Sequence, residues 1–160
     1  MTKQQSKTRT GRLVDRKHVD TLIRNYKLNR WVHNTKRLGK PDALSAWFSL
    51  ETLKEFLELA EQQQADGLKV YYGVYPADYS EKPEYRGRQT VVFVATKEKT
   101  NAAGATVNKD IYYLNGSEAQ ILAFNEASLC PPNCSPDGNG IDTDGIGITI
   151  FENEGTMHVI

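Results

Sequence analysis

The chain of 160 residues is long enough for one domain, and its 39% hydrophobic and 25% charged residues are typical of a globular protein and argue against wholesale disorder. Its net charge is zero, but the charge is divided unevenly along the chain. Residues 1–40 carry twelve basic and two acidic side chains, which gives +10, and residues 41–160 carry eight basic and eighteen acidic side chains, which gives −10. Such an imbalance is a starting point for a functional hypothesis.

Residues 1–7 have no apolar run behind their positive charges, unlike a secretory signal. No stretch approaches the roughly 18 apolar residues of a membrane span. We therefore expect a cytoplasmic protein without a transmembrane segment. In that compartment Cys130 and Cys134 are expected to be reduced thiols rather than a structural disulfide.

The N-terminal part of the chain predicts a flexible basic tail over residues 1–12, followed by a single globular domain over residues 13–160. A first helix is predicted from Asp15, whose carboxylate can accept hydrogen bonds from the first turn. At helical spacing, an apolar stripe is formed by Val19, Leu22, Ile23 and Tyr26. An adjoining face collects the basic side chains of Arg16, Lys17, Arg24, Lys27 and Arg30.

The next elements are a break at residues 39–41, a short strand at residues 45–48 and a second helix over residues 50–64. Ser49 is the predicted N-cap of that helix. Its predicted core stripe consists of Leu50, Leu53, Phe56, Leu57 and Ala60. We expect Gly67 to end the helix in the left-handed conformation.

From residue 68 onward the sequence favours β-structure. Residues 68–75 alternate, with Tyr71 and Tyr75 on the face opposite an apolar set made of Leu68, Val70, Tyr72 and Val74. The apolar run at residues 90–95 predicts a central strand covered on both faces, and residues 97–107 are expected to form a loop. The dipeptide Asn115-Gly116 predicts a hairpin between strands at 110–114 and 121–124, and a last pair is expected at 146–151 and 156–160.

Two early helices and about six later strands with short connections predict an α+β fold. We expect a mostly antiparallel sheet of about five to six strands, with the two N-terminal helices packed on one face.

The basic tail and helix form the first candidate site. A basic amphipathic helix is typical of surfaces that bind nucleic acid, an anionic membrane or an acidic protein. Alternatively, the same charges can neutralise the acidic remainder of the chain itself. Tyr71 and Tyr75 would add aromatic surface for stacking on bases, unless the helices cover their face and bury them.

The second candidate is the sequence Cys-Pro-Pro-Asn-Cys at residues 130–134. As thiolates, Cys130 and Cys134 would supply half of a tetrahedral zinc site, which His33 or His158 could extend, or they would form a redox dithiol. The alternative is a tight turn with small buried cysteines. The Asp- and Gly-rich residues 137–145 suggest calcium by composition but fail the EF-hand template.

No nucleophile elbow, phosphate-binding Walker loop, dinucleotide fingerprint or zinc-protease motif is present in the sequence. The sequence therefore favours a non-enzymatic binding module that contacts an acidic protein or nucleic acid through its basic N-terminal tail and helix. The alternative is a metal-binding or thiol-redox protein centred on Cys130 and Cys134.

Overall fold

The first half of the chain is mainly helical in the computed structural model, which describes residues 10–134, 150–153 and 156–159, the last two segments as backbone alone. One uninterrupted helix consists of α1 (Arg16–Tyr26), a π-helical segment (Lys27–Trp31) and α2 (Val32–Leu38). A second helix, α3, spans Leu50–Gln62, and a short 3-10 turn spans Pro83–Tyr85. None of the helices in the described residues combines the length and the apolar character that a membrane span requires.

Both predicted N-caps are confirmed. The Asp15 carboxylate accepts a hydrogen bond from the backbone N–H of His18 at 2.8 Å. The Ser49 hydroxyl accepts one from the backbone N–H of Thr52 at 3.1 Å. Each cap satisfies an N–H group that has no partner inside its helix.

The helix ends are set by residues in the left-handed conformation. Gly39 ends the first helix with a φ of 72°. The expectation that Gly67 ends the second helix is wrong, because Gln64 adopts the left-handed conformation there, with a φ of 60°. Gly67 is instead the first residue of a strand, beside Thr96 of its neighbour.

Ten strands are described in chain order: β1 (Ser45–Trp47), β2 (Gly67–Val74), β3 (Gln89–Thr100), β4 (Thr106–Asp110), β5 (Tyr112–Asn115), β6 (Glu118–Ile121), β7 (Ala123–Phe124), β8 (Ser128–Cys130), β9 (Ile150–Asn153) and β10 (Thr156–Val159). The largest sheet has the order β2-β3-β4, and β7 also pairs with β3. The pairs β1-β8, β5-β6 and β9-β10 form three further sheets. Every described pairing is antiparallel. The α+β class is confirmed, but the predicted single sheet is divided into small ones.

The predicted central strand is confirmed, since β3 pairs with β2, β4 and β7. The loop expected over residues 97–107 is wrong, because β3 continues to Thr100 and β4 begins at Thr106. Asn101 closes the turn between them by accepting hydrogen bonds from the N–H groups of Ala103 and Ala105 at 3.0 and 2.9 Å. Since this end of the hairpin is exposed and polar, it lacks the apolar alternation by which a strand is recognised.

A hairpin forms at Asn115-Gly116 as predicted, and Gly116 has the positive φ, 65°, that such turns need. The strand predicted at 121–124 is wrong, because β5 pairs with β6 at Glu118–Ile121 and β7 pairs with β3 instead. The predicted C-terminal pair corresponds to β9 and β10, which pair from Ile150 with Val159 to Asn153 with Thr156.

The buried side chains form two clusters. One contains Phe56 and Ala60 of α3 together with Ala95 of β3 and Leu122, and it extends into partly buried phenylalanines. The other is made of Ala43, Tyr75, Tyr85, Ala127 and Leu129. Together the clusters attach α3 to the β3 sheet and join β8 to the loops around it.

Much of the expected apolar core remains exposed. Leu22 of α1 is 56% exposed and Leu50 of α3 is 75% exposed, although both belong to predicted core stripes. The apolar row of β2 is exposed as well, from 37% at Leu68 to 83% at Tyr72. The reason is that α3 covers this face of the sheet over β3, where Ala95 is buried beside Phe56 and Ala60, and the described packing does not extend over β2.

Candidate functional site

The first helix contains a π-helical segment with two buried side chains. The backbone N–H of Val32 donates to the Lys27 carbonyl, five residues earlier, so the helix winds more widely here than an α-helix. Lys27 and Trp31 are four residues apart and lie on the same side of the helix. Both are fully buried, and the Trp31 Nε1–H donates to the Asp42 carbonyl at 2.8 Å.

The prediction that Lys27 belongs to the exposed basic face is therefore wrong. Its ammonium Nζ has no hydrogen-bond partner in the described part of the chain. Burial, and secondarily the nearby Arg24 guanidinium, lowers the pKa of Lys27 below its ordinary value. No pattern in the sequence predicts this burial, because a helical count places Lys27 beside the other basic residues.

The other predicted basic residues lie outward or are paired. Arg16, Lys17 and Arg30 are exposed, as predicted. Arg24 is partly buried, and its Nε donates to the Asp20 carboxylate at 2.8 Å, one helical turn away. Two exposed cations of α2, Lys36 and Arg37, extend the same helix. We define the basic surface as the exposed cations Arg16, Lys17, Arg30, Lys36 and Arg37.

No member of the basic surface forms an ion pair within the residues that the structure describes. Exposed apolar side chains lie among these cations: Leu28 is 58% exposed and Val32 is 39% exposed. Leu28, Val32 and Lys36 are spaced by four residues and therefore share one side of the helix. The exposed surface of the helix thus carries five cations and an apolar strip.

The two tyrosines predicted to widen the site behave differently. Tyr71 is 43% exposed, and its hydroxyl donates to Asp110 Oδ2 at 3.1 Å. The Lys69 ammonium donates to Asp110 Oδ1 at 2.8 Å, and this hydrogen bond is the main cause that lowers the pKa of Asp110. Tyr71 therefore joins a polar cluster between β2 and β4, and no described contact connects it to the basic surface.

Tyr75 is buried, so the prediction that it offers a stacking surface is wrong. It is 7% exposed, and its hydroxyl donates to the side-chain oxygen of Asn125 at 2.9 Å. Its ring packs near those of Tyr79 and Tyr85, at centroid distances of 4.7 and 5.5 Å. Burial raises the pKa of Tyr75 above its ordinary value. The alternative interpretation, a half-polar core residue, describes it better.

Cys130 and Cys134 are joined in a disulfide, with their Cα atoms 4.5 Å apart. This differs from the expected reduced thiols. The backbone explains the proximity, because the N–H of Asn133 donates to the Leu129 carbonyl at 2.7 Å and turns the chain back on itself. Sulfurs in a disulfide are not thiolate ligands.

No group of described side chains supports the predicted zinc and calcium sites. Within residues 10–134, no three side chains of metal-binding type come together. His33 is exposed on α2. The structure does not describe the side chain of His158 or residues 137–145, whose composition suggests calcium binding.

A cleft of about 480 Å³ lies beside the disulfide-closed turn and was missed by the sequence analysis. Its apolar lining includes Trp47, Phe48 and Phe124, and its polar rim includes Lys82 and Glu126. Trp47 is 67% exposed. The lining comes from several separate segments of the chain, so no local motif marks it.

No family model, curated protein or solved structure matches this chain. The function therefore has to be argued from the chain's own residues.

Proposed function

We propose that this chain is a non-enzymatic binding module whose first helix binds an acidic protein partner. The observation that carries the proposal is the basic surface, five exposed cations on one uninterrupted helix. Two aromatic side chains attach the helix to the remainder of the chain. The Tyr26 hydroxyl donates to Gln89 at 2.7 Å and the Trp31 indole to Asp42 at 2.8 Å.

An intramolecular role for the positive charge has less support. Neutralisation by the acidic remainder of the chain would place carboxylates against the basic surface. The one ion pair described on this helix is instead internal to it, between Arg24 and Asp20. The described contacts of the helix with later residues use Tyr26, Trp31, Thr35 and Leu38, not its exposed cations.

The exposed apolar strip favours a protein over a nucleic acid. Leu28 and Val32 next to Lys36 fit a helix that is laid into a groove, where apolar anchors recur every three or four residues. Contacts to a phosphate backbone would use the cations alone. An interfacial membrane helix would need a broad apolar face, whereas the Trp31 side of this helix is already buried against the chain itself.

Binding of the full chain to an acidic peptide that contains leucines tests the proposal, at about 50 and about 200 mM salt. A triple charge reversal, Lys17→Glu with Arg30→Glu and Lys36→Glu, should weaken binding and reduce its salt dependence. Reversal of the exposed Lys54 on α3 and Lys99 on β3 is the matched control and should leave binding unchanged.

A DNA duplex and vesicles with anionic headgroups serve as competing probes. The variant Leu28→Gln should weaken binding to the acidic peptide while leaving any DNA binding unaffected, because only a protein groove buries this side chain. Tighter binding to DNA or to vesicles would replace the acidic protein by that partner. Equal binding by the triple variant and the control would contradict the use of this helix.

A thiol-redox function is the second candidate, supported by the pairing of Cys130 with Cys134 across three residues. Reduction by two glutathione thiols would supply two electrons and two protons, giving two protein thiols and one glutathione disulfide. Incubation in glutathione buffers of defined ratio, followed by maleimide trapping and mass spectrometry, measures this exchange. A pair that stays oxidised throughout the cellular range of ratios would exclude the redox role. Zinc binding is part of the same candidate function, because reduction of the disulfide frees two thiolates that can bind the metal. Elemental analysis of the reduced, zinc-treated protein tests it.

A further inference from the structure

Strand β2 forms one edge of the largest sheet. Among the described strands it pairs with β3 alone, over the whole of Gly67–Val74. The last two described strands, β9 and β10, pair with each other. We call the side of β2 that faces away from β3 the free edge. Such an edge is a row of backbone N–H and C=O groups that can pair with a strand of another chain.

The hydrogen bonds of β3 show which residues of β2 direct their backbone groups to the free edge. The N–H and C=O groups of Ala95 bond at 2.9 Å to residues beside β4 and β7, on the side of β3 away from β2. The Val91 carbonyl likewise accepts from the Asn125 side chain on that side, at 2.7 Å. Leu68 lies opposite Ala95, and Tyr72 lies opposite Val91, so neither of these pairs is joined by backbone hydrogen bonds. Because the pattern alternates along an antiparallel ladder, the residues with outward-pointing backbone groups are Leu68, Val70, Tyr72 and Val74.

The same four residues carry the exposed apolar row of β2. Charged side chains or proline normally protect an exposed strand edge from other chains. β2 contains no proline, and its one charged residue is Lys69. The Lys69 ammonium donates to Asp110 of β4 at 2.8 Å, so it is drawn across the sheet and away from the free edge. The free edge therefore combines backbone hydrogen-bonding groups with apolar side chains and lacks the usual protection.

We propose that two copies of this chain pair antiparallel through their β2 strands and form one continuous sheet across a two-fold axis. Outward-pointing residues of the two copies meet only if the axis passes through a residue, because an axis between two residues sets each outward-pointing residue opposite an inward-pointing one. An axis at Tyr71 pairs Leu68 with Val74 of the second copy, and Val70 with Tyr72. This register is the one that engages all four outward-pointing residues.

The side chains fit the same register. Val70 opposite Tyr72 is a pair of a β-branched and an aromatic residue, which stabilises antiparallel sheets. On the other face Lys69 lies opposite Gly73, so no like charges meet. Since a two-fold contact uses the same patch on both chains, this one strand is sufficient to close a dimer. The contact shares no residue with the basic surface, so it stands independently of the proposed acidic protein partner.

Sedimentation equilibrium of the full chain, from about 5 to about 200 µM, tests the dimer. We expect reversible dimers with a micromolar dissociation constant, because pairing of single strands buries less surface than a standard interface. Tyr72→Lys places a charge opposite Val70 of the second copy and should weaken association about tenfold or more. Leu114→Lys is the matched control, since Leu114 of β5 is 74% exposed and Tyr72 is 83% exposed, and it should leave association unchanged.

Val70→Pro separates loss of the contact from loss of the fold. The Val70 N–H points to the free edge, so proline at this position removes no hydrogen bond to β3, and strands at sheet edges accept proline in this orientation. The variant should stay monomeric at every concentration and melt close to the temperature of the dilute natural chain.

Cysteine cross-linking tests the register. In the proposed dimer Tyr71 faces Tyr71 of the second copy as a non-hydrogen-bonded pair, whose Cα atoms are about 4.5 Å apart and within reach of a disulfide. Tyr71→Cys should therefore give a covalent dimer in oxidised glutathione, verified by mass spectrometry of the linked peptides. Leu68→Cys should not, because Leu68 faces Val74.

The proposal is overturned if the natural chain is monomeric at the highest concentration, if Tyr72→Lys and Leu114→Lys affect association equally, or if Val70→Pro associates as the natural chain does. Cross-linking of Leu68→Cys in place of Tyr71→Cys would also overturn it, because the strands would then pair in a different register.

Discussion

Replacement of Lys27 by Met is the substitution for which the structure gives the clearest expectation. The Lys27 side chain is fully buried and its ammonium has no described hydrogen-bond partner. Met has a similar length and no charge, so it retains most of the packing and removes the desolvation cost. Exchange of a buried charge for a well-packed apolar side chain stabilises proteins by about 1–4 kcal/mol in favourable cases. We expect Lys27→Met to raise the free energy of unfolding at pH 7 by about 1–3 kcal/mol.

The effect should depend on pH in a defined direction. The pKa of Lys27 is lowered in the folded chain, so between that pKa and the ordinary value the unfolded chain binds more protons. The stability of the natural chain therefore rises with pH across this window, as Lys27 becomes neutral in the folded state. Lys27→Met lacks this pH-dependent contribution. Its gain in the free energy of unfolding over the natural chain should therefore be largest near neutral pH and shrink as the pH approaches about 10.4.

Urea denaturation followed by circular dichroism, at several pH values for both chains, measures the difference directly. Lys17→Met is the matched control, because Lys17 is exposed on the same helix and should give little change at any pH. A destabilised Lys27→Met variant whose difference from the natural chain is independent of pH would refute the reasoning. That result would mean that Lys27 has the same pKa in the folded and the unfolded chain, so that burial does not disfavour its charged form.

Three further predictions concern the anchoring contacts and the disulfide. Trp31→Phe removes the indole donor to the Asp42 carbonyl and leaves a cavity, and should lower the free energy of unfolding in urea by about 2–4 kcal/mol. Burial, and secondarily the charge of Asp42, raises the pKa of Tyr26 to about 12. The neutral Tyr26 hydroxyl therefore contributes fully to stability below about pH 10, and this contribution is lost toward pH 12. Tyr26→Phe should flatten the fall of the melting temperature across that pH range. Replacement of both Cys130 and Cys134 by Ser removes a short closed loop and should cost about 2 kcal/mol in urea denaturation, whereas a cost near zero would mean that the disulfide adds nothing to the fold.

Sequence reasoning succeeded where the signal is local. Asp15 and Ser49 were correctly predicted as caps because a cap is one side chain bonding to a backbone group three residues later. The Asn115-Gly116 hairpin was correct for a similar reason, since only a few residue types accept its backbone conformation.

The candidate site was predictable only in part. Arg16, Lys17 and Arg30 are exposed as the helical count predicts, but Lys27 is buried on the same side of the helix as Trp31. That side is held against the chain by a long-range contact, the bond from Trp31 to the carbonyl of Asp42 beyond Gly39. No periodicity in a single sequence contains that information.

The same distinction applies to the whole molecule. The sequence by itself determined the α+β class, the start of each helix, the central strand and the division of charge, because each depends on composition or on residues close along the chain. Only the tertiary structure decided that the apolar row of β2 is exposed, that Lys27 and Tyr75 are buried, and that Cys130 and Cys134 are paired. These outcomes depend on contacts between segments that are distant along the chain. The same alternating pattern is buried where another layer covers the face of the sheet and exposed where none does.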